Sequence, residues 1–275
     1  MQCESSYGYR VLTDCEVSSN QSSDGMNGRG GGLYCDASNI EISCCRITGN
    51  LCLNSGAGLQ CINGDTSRII NCFIYGNGPG DGGGIACHAG ACPEIGNCTF
   101  DQNDATTGFG GAIYADQSSS PVITNCIMWF NYIEEIFAAP GSGLTVTFSD
   151  VMGGWPGAGI IDEDPLYEGI MTLEYYLSQT AAGQAEDSPC VDAGSTAAAD
   201  VCFTASDGSL VCLDQYTTRT DGVPDQGTVD MGYHQVSNVP PPVPATGYFG
   251  LALMALLLSC LISLWLPRMR SEGKV

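Results

Sequence analysis

The sequence predicts an all-β solenoid, a parallel β-helix of short stacked coils, on two repeating registers and one exclusion. The first register is the template Cys-x-[apolar]-x-x-Asn, which runs from Cys15 to Asn20, Cys45 to Asn50, Cys72 to Asn77, Cys98 to Asn103 and Cys126 to Asn131. Its cysteines and its asparagines both step by 30, 27, 26 and 28 residues, so one structural unit locks the two positions together. The second register pairs small residues with an apolar segment: Gly31-Gly32-Leu33-Tyr34-Cys35, Ala57-Gly58-Leu59-Gln60-Cys61, Gly83-Gly84-Ile85-Ala86-Cys87 and Gly111-Ala112-Ile113-Tyr114-Ala115. These step by 26, 26 and 28 residues. What is excluded is helix, because no amphipathic segment with apolar spacing of three and four fits between the glycines.

Each position in a coil then acquires a reason. Cysteine and the apolar residue two places on share a parity, as do Leu33 and Cys35, Leu59 and Cys61, and Ile85 and Cys87, so each pair points to one side of a pleated strand. Those sides face inward, which stacks Cys15, Cys45, Cys72, Cys98 and Cys126 in one row and Cys35, Cys61 and Cys87 in another. Thiols in such rows pack as small hydrophobes. Asn20, Asn50, Asn77, Asn103 and Asn131 form a ladder in which each side-chain amide satisfies backbone groups that a turn leaves open. Asparagine also tolerates the left-handed backbone of a sharp corner, and the reading assigns that conformation to these residues. With coils about 4.8 Å apart, five of them make a column about 24 Å long.

The rungs are similar to those of right-handed parallel β-helix proteins of the pectin-lyase-like class. Phe100-Asp-Gln-Asn103, followed by Gly110-Gly111-Ala112-Ile113, resembles the paired FxxN and GGAI motifs of the polymorphic outer-membrane protein repeat. The resemblance covers roughly residues 11–131 and implies a right-handed fold without specifying an activity.

Beyond Asn131 the register dissolves. Val146 to Val151 reads as one more strand, and Gly153 to Tyr167, with Trp155-Pro156-Gly157, reads as loop and turn. Asp164-Pro165-Leu166-Tyr167, Ser188-Pro189-Cys190-Val191-Asp192-Ala193-Gly194 and Asp221 to Tyr233 resemble the closing region of exported bacterial β-helix proteins. That resemblance implies an irregular cap over the last open coil, as an exposed sheet end requires. Val239-Pro-Pro-Pro-Val-Pro is a stiff spacer. Gly247 to Leu266 is an uncharged apolar run long enough to cross a bilayer as one C-terminal transmembrane helix, and Arg268, Arg270 and Lys274 behind it orient the tail to the cytoplasm. Spacer, span and basic end resemble bacterial C-terminal sorting signals of the PEP-CTERM and IPTL-CTERM kind, which implies export to the cell envelope or surface. The expected organisation is therefore coils over 1–137, last coil or coils and cap over 138–236, a Pro-rich linker over 237–246, the membrane or sorting helix over 247–266 and a basic tail over 267–275. Met1 to Arg10 has no charged n-region or apolar h-region, which suggests a product truncated ahead of Met1.

Composition narrows the functions. With 30 Asp and Glu against 8 Lys and Arg the formal charge is −22, so nucleic acid and anionic lipid are disfavoured as partners. Of the 16 cysteines, the off-register Cys3, Cys44, Cys52, Cys92, Cys190, Cys202 and Cys212 are the disulfide candidates. Cys202 with Cys212 leads, because Asp207-Gly208-Ser209 between them is a turn. Cys87-His88 and Cys92 lack the paired spacing of a zinc site. Asp81, Asp101, Asp104 and Asp116 fall in adjacent coils and are the calcium candidates, set against the plainer reading of hydrated loop carboxylates. No other cofactor is expected. Arg46 and Arg68 show no partner in the sequence, the motifs of β-helix glycosidases are missing, and His88 and His234 read as loop and cap histidines outside any triad. The expected function is a surface-displayed, membrane-anchored module for adhesion, polysaccharide contact or envelope structure; the rival is a polysaccharide lyase or glycoside hydrolase.

Overall fold

The computed structural model describes residues 2–4, 10–22 and 29–237. Up to Val151 the chain winds into a parallel β-helix whose coils feed three six-stranded sheets. The first sheet holds Gln2–Glu4, Leu33–Asp36, Leu59–Ile62, Ile85–Cys87, Ile113–Ala115 and Ile136–Ala138. The second holds Arg10–Thr13, Ile40–Ser43, Arg68–Ile70, Glu94–Gly96, Val122–Thr124 and Thr145–Thr147. The third holds Glu16–Ser18, Arg46–Thr48, Phe73–Tyr75, Thr99–Asp101, Ile127–Trp129 and Asp150–Val151. A smaller fourth sheet, Gln21–Ser22, Leu51–Ser55 and Gly78–Asp81, follows the third in the first few coils.

Register follows the repeat. Cys35 pairs with Cys61 and Cys61 with Cys87, while Ile47, Ile74, Phe100 and Met128 stack in order. Cys45, Cys72, Cys98 and Cys126 are fully buried. Each of these thiols donates to the carbonyl two residues before it, and Ser149 Oγ takes the sulfur's place on the next floor, accepting the Cys126 N–H at 3.0 Å. Burial of an Ile contributes about 1.5–3 kcal/mol against about 1 kcal/mol for a hydrogen bond. The aliphatic rows therefore drive collapse, and the thiol and amide rows set the register.

The asparagine ladder runs as expected. The backbone N–H and Nδ2 of Asn20, Asn50, Asn77 and Asn103 all donate to Oδ1 of the asparagine one coil on, at 2.8 to 3.2 Å. Glu135 receives both donors of Asn131 and closes the row. The left-handed assignment is displaced by one residue. Positive φ falls on Ser19, Gly49, Gly76, Gln102 and Phe130, just before each ladder asparagine. It also falls on Asp14, Cys44, Asn71, Asn97 and Asn125, at the corner between the second and third sheets. Phe148, with φ 45°, is another such corner and divides the single strand expected over Val146 to Val151 into two.

The end of the column is covered by a segment that reads as mere loop. Trp155 and Ile160 pack against the main core, Phe148 N–H donates to Ala158 O at 2.8 Å, and Val151 N–H donates to Ile161 O at 3.0 Å. Gly157 sits where a Cβ would lie 2.0 Å from Val146 O, so no other residue fits. Residues beyond Asp164, expected as the lid over the last coil, instead run back along the side of the column. Phe203 packs with Cys44 and Ile70, and Leu177, Cys190 and Met231 pack with Ile127 and Trp129. The corner asparagines receive this segment coil by coil. Asn71 Nδ2 donates to His234 O at 2.9 Å, Asn97 Nδ2 donates to Asp230 O at 3.0 Å, and Asn125 Oδ1 accepts the Ser195 N–H at 2.8 Å. Arg46 and Arg68 have partners after all: Arg46 lies 4.6 Å over the Phe73 ring and donates to Leu173 O, while Arg68 bridges buried Glu41 at 2.8 Å and donates to Cys202 O.

Cys202 and Cys212 are disulfide-bonded across their antiparallel hairpin. The other off-register candidates whose side chains are described, Cys44, Cys52, Cys92 and Cys190, are free thiols, because each lies in a different environment. Cys44 is buried beside Phe203, which pushes its thiol up to about 12, whereas Cys190 is buried against Asp150 and Cys92 is exposed. Among the described residues no helix is long and apolar enough to cross a membrane; the expected span 247–266 lies outside them.

Candidate functional site: a cleft on the first sheet

The outward positions of the first sheet align as Tyr34, Gln60, Ala86, Tyr114 and Phe137. At its lower end the row is aromatic: Tyr114 and Phe137 stack at 5.6 Å with planes 8° apart, and exposed Phe109 stacks on Phe137 at 4.7 Å. Beside it lies a polar cleft of about 450 Å3, lined by Arg29, Asn54, Ser55, Gln60, Ile62, Asp81, His88, Asp116 and Gln117. One wall is the fourth sheet, where Ser55 and Asp81 are register partners. The other is formed by His88 and Asp116, each one residue past a first-sheet strand and held by an N–H to the coil before, at Cys61 O and Cys87 O. Ser55 and Asp81 end their strands, and His88 and Asp116 directly follow theirs.

Within the cleft, Ser55 Oγ is 2.6 Å from His88 Nε2, and His88 Nδ1 is 2.7 Å from Asp116 Oδ1. Asp116 Oδ2 accepts from the Tyr114 hydroxyl at 3.2 Å and from Gln117 Nε2 at 3.3 Å. Burial, with Asp116 and Asp81 nearby, pushes the Tyr114 phenol up to about 12. Asp81 accepts the Phe109 N–H at 2.8 Å, and its burial raises its pKa. Gln60 is buried, and its Oε1 has no hydrogen-bond partner.

The four calcium candidates do not assemble. Asp81 and Asp116 share this cleft, but Asp104 caps its own loop through Thr106 N–H and Oγ1. Asp101 lies on the third sheet, raised to about 6 by burial and bonded to the Tyr175 hydroxyl at 2.5 Å. It borders a separate groove of about 620 Å3 with Tyr75, Phe130 and Met171. Among the described residues, the carboxylates close enough to share one ion are Asp192, Asp225 and Asp230 of the C-terminal segment. Their oxygens already serve that segment: Asp225 accepts from His234 and from the Asp230 N–H, and Asp230 from Gln179 and the Asp192 N–H.

His88 is a loop residue, as expected, just past the strand Ile85–Cys87, but the expectation that no Ser or Asp is arranged about it is overturned by its neighbours. Ser55, His88 and Asp116 lie 33 and 28 residues apart, close to one coil each, and that spacing is the signal the sequence carried.

Curated proteins and solved structures give no match to this chain. The model of the right-handed β-helix region matches residues 3–164, more than half of the sequence. With three parallel sheets in matching register and a continuous asparagine ladder behind that match, the chain belongs to the right-handed β-helix family.

Proposed function

We propose that the protein contacts neutral polysaccharide along the outer face of its first sheet, and that the apolar run 247–266 anchors it for display at the cell envelope or surface. The observation that carries this reading is the stacked, solvent-reaching row of Tyr114, Phe137 and Phe109 running into a polar cleft. Flat aromatic faces take the apolar faces of sugar rings, and a few convergent polar groups, here including the unpartnered Gln60 carbonyl, meet hydroxyls. A charge of −22 selects against polyanions. The test is titration of neutral and anionic polysaccharides into the purified chain. The expected result is binding of neutral polymers that weakens about tenfold or more, roughly 1.4 kcal/mol, in Phe109→Ala with Phe137→Ala. Met171→Ala, beside the groove on the third sheet, should leave it unchanged. Equal affinity in the double variant sinks the reading.

A glycoside hydrolase is the second reading, favoured by Asp81 with its raised pKa standing in the same cleft as Asp116. Release of reducing ends, lost in Asp81→Asn, is its test. A lyase is less well supported, because Arg46 and Arg68 are engaged with the C-terminal segment and the calcium candidates are dispersed.

A further inference from the structure

We propose that the first-sheet cleft is a hydrolytic centre in which Ser55 is the nucleophile, His88 its general base and Asp116 the group that positions His88, acting on carboxylic esters. The substrate class, an O-acyl ester carried by a neutral polysaccharide, rests on the reading above; the chemistry does not.

Geometry carries the inference. The Asp116 carboxylate, 2.7 Å from Nδ1, holds the imidazole with its proton on that nitrogen. Nε2 then turns a lone pair toward the Ser55 hydroxyl at 2.6 Å, within the reach a general base needs. Asp116 is itself held by the Tyr114 hydroxyl, and the Tyr114 ring lies 5.4 Å from the imidazole, so the relay is fixed from behind. The three residues come from three successive coils, Ser55 ending its strand and His88 and Asp116 directly following theirs, the rigid platform such a constellation requires. Ser55, His88 and Asp116 all line one open cleft with Arg29, whose guanidinium supplies positive charge for a developing oxyanion. The buried Gln60 Oε1, without a partner in the same cleft, is the second mark of a ligand site.

The reaction balances with water as the only co-reactant. Ser55 Oγ bonds to the ester carbonyl carbon while its proton passes to His88 Nε2 and the carbonyl electron pair moves onto oxygen. Collapse breaks the bond from carbon to the sugar oxygen, which leaves with that proton, and acyl-Ser55 remains. Water then adds to the acyl carbon, giving a proton to Nε2. The second collapse releases the carboxylic acid and returns the proton to Ser55 Oγ.

The full chain is assayed for hydrolysis of 4-nitrophenyl acetate and for acetate release from an acetylated neutral polysaccharide, and is labelled with a fluorophosphonate. The expected result is turnover with both esters and a single adduct on Ser55. Ser55→Ala and His88→Ala should lower kcat by at least a thousandfold. Asp116→Asn should lower it by about the same order and change the pH profile, which a merely structural role would not move. Circular dichroism and denaturant unfolding of Ser55→Ala establish that the variant is folded. No turnover and no adduct in a chain that still binds polysaccharide overturns the hydrolytic centre and leaves the binding reading standing. Undiminished turnover in Ser55→Ala also overturns it. Turnover of the small ester without polysaccharide binding upholds the centre and overturns the substrate class.

Discussion

The outward row of the third sheet, Arg46, Phe73, Thr99 and Ile127, is covered, whereas the outward row of the first sheet borders an open cleft. Tyr175 and Tyr233 lie 4.8 and 6.0 Å from Phe73, and Tyr233 N–H donates to Thr99 Oγ1. Hydrogen bonds from the C-terminal segment land on the second and third sheets and the corner between them; the cleft on the first sheet is lined wholly by residues 29–117. Both rows come from the same repeating coil. The difference teaches that inward positions dictate stacking, while outward positions are free to take either a segment of the chain itself or a ligand.

The strongest break of that contrast is one that spares neither side. Asn77→Ala orphans the buried Asn50 N–H, strips Asn50 Nδ2 of one of its two bonds and removes the side-chain donor to Ile47 O. At 1–3 kcal/mol for each group left unsatisfied, with one N–H orphaned and one amide hydrogen freed, the loss should be about 4 kcal/mol. Denaturant unfolding measures it, and hydrogen exchange should quicken on both flanks. Phe203→Ala should cost about 3–4 kcal/mol but act on the covered flank alone. Exchange should rise at the Asn71 and Asn97 corners, while the ladder amides of Asn50 and Asn77 stay protected and polysaccharide affinity holds. Opening the Cys202–Cys212 bridge with Cys202→Ser and Cys212→Ser removes the closure of a ten-residue separation, about 2–3 kcal/mol. It should loosen only the hairpin that meets Glu41 and Arg68, read as faster proteolysis there.

The last effect is a pH dependence set at the ladder's end. Burial raises Glu135 from 4.5 to about 8, although Asn131 donors pull the other way. The fold therefore keeps a proton that the unfolded chain has released, so this contribution to stability is complete below about 4.5 and is lost as pH rises through about 8. Asp150, raised by burial to about 7, adds to the same slope. Glu135→Gln should flatten the curve of unfolding midpoint against pH over that window by a few degrees. A curve as steep as that of the parent chain would remove Glu135 as its source.

In a stacked column, residues one period apart are neighbours, so spacing in the sequence is already a contact map. That is why the Asn20 to Asn131 ladder and both thiol rows are legible in the sequence. The C-terminal segment is not, since its contacts join residues 134 and 163 apart, as in Arg68 with Cys202 and Asn71 with His234, without any period. The left-handed corners were misplaced by one because a side chain that satisfies a turn need not belong to the residue that makes it. The cleft was half legible. Asp81 and Asp116 were singled out as carboxylates, but Ser55 and His88 escaped because loops of unequal length blur the period where the site is built.

From Asn50 on, each ladder amide gives one hydrogen back to a carbonyl of the coil before, but amide to amide the donation runs only toward the C-terminal floor, so the row is a directed chain with a head and a tail. A carboxyl at its tail receives both Asn131 donors and has no amide of its own to extend the row. Glu135 thus works as punctuation: a duplicated coil spliced in ahead of Asn131 would extend the row, while one spliced in behind Glu135 would meet no side-chain amide to continue it.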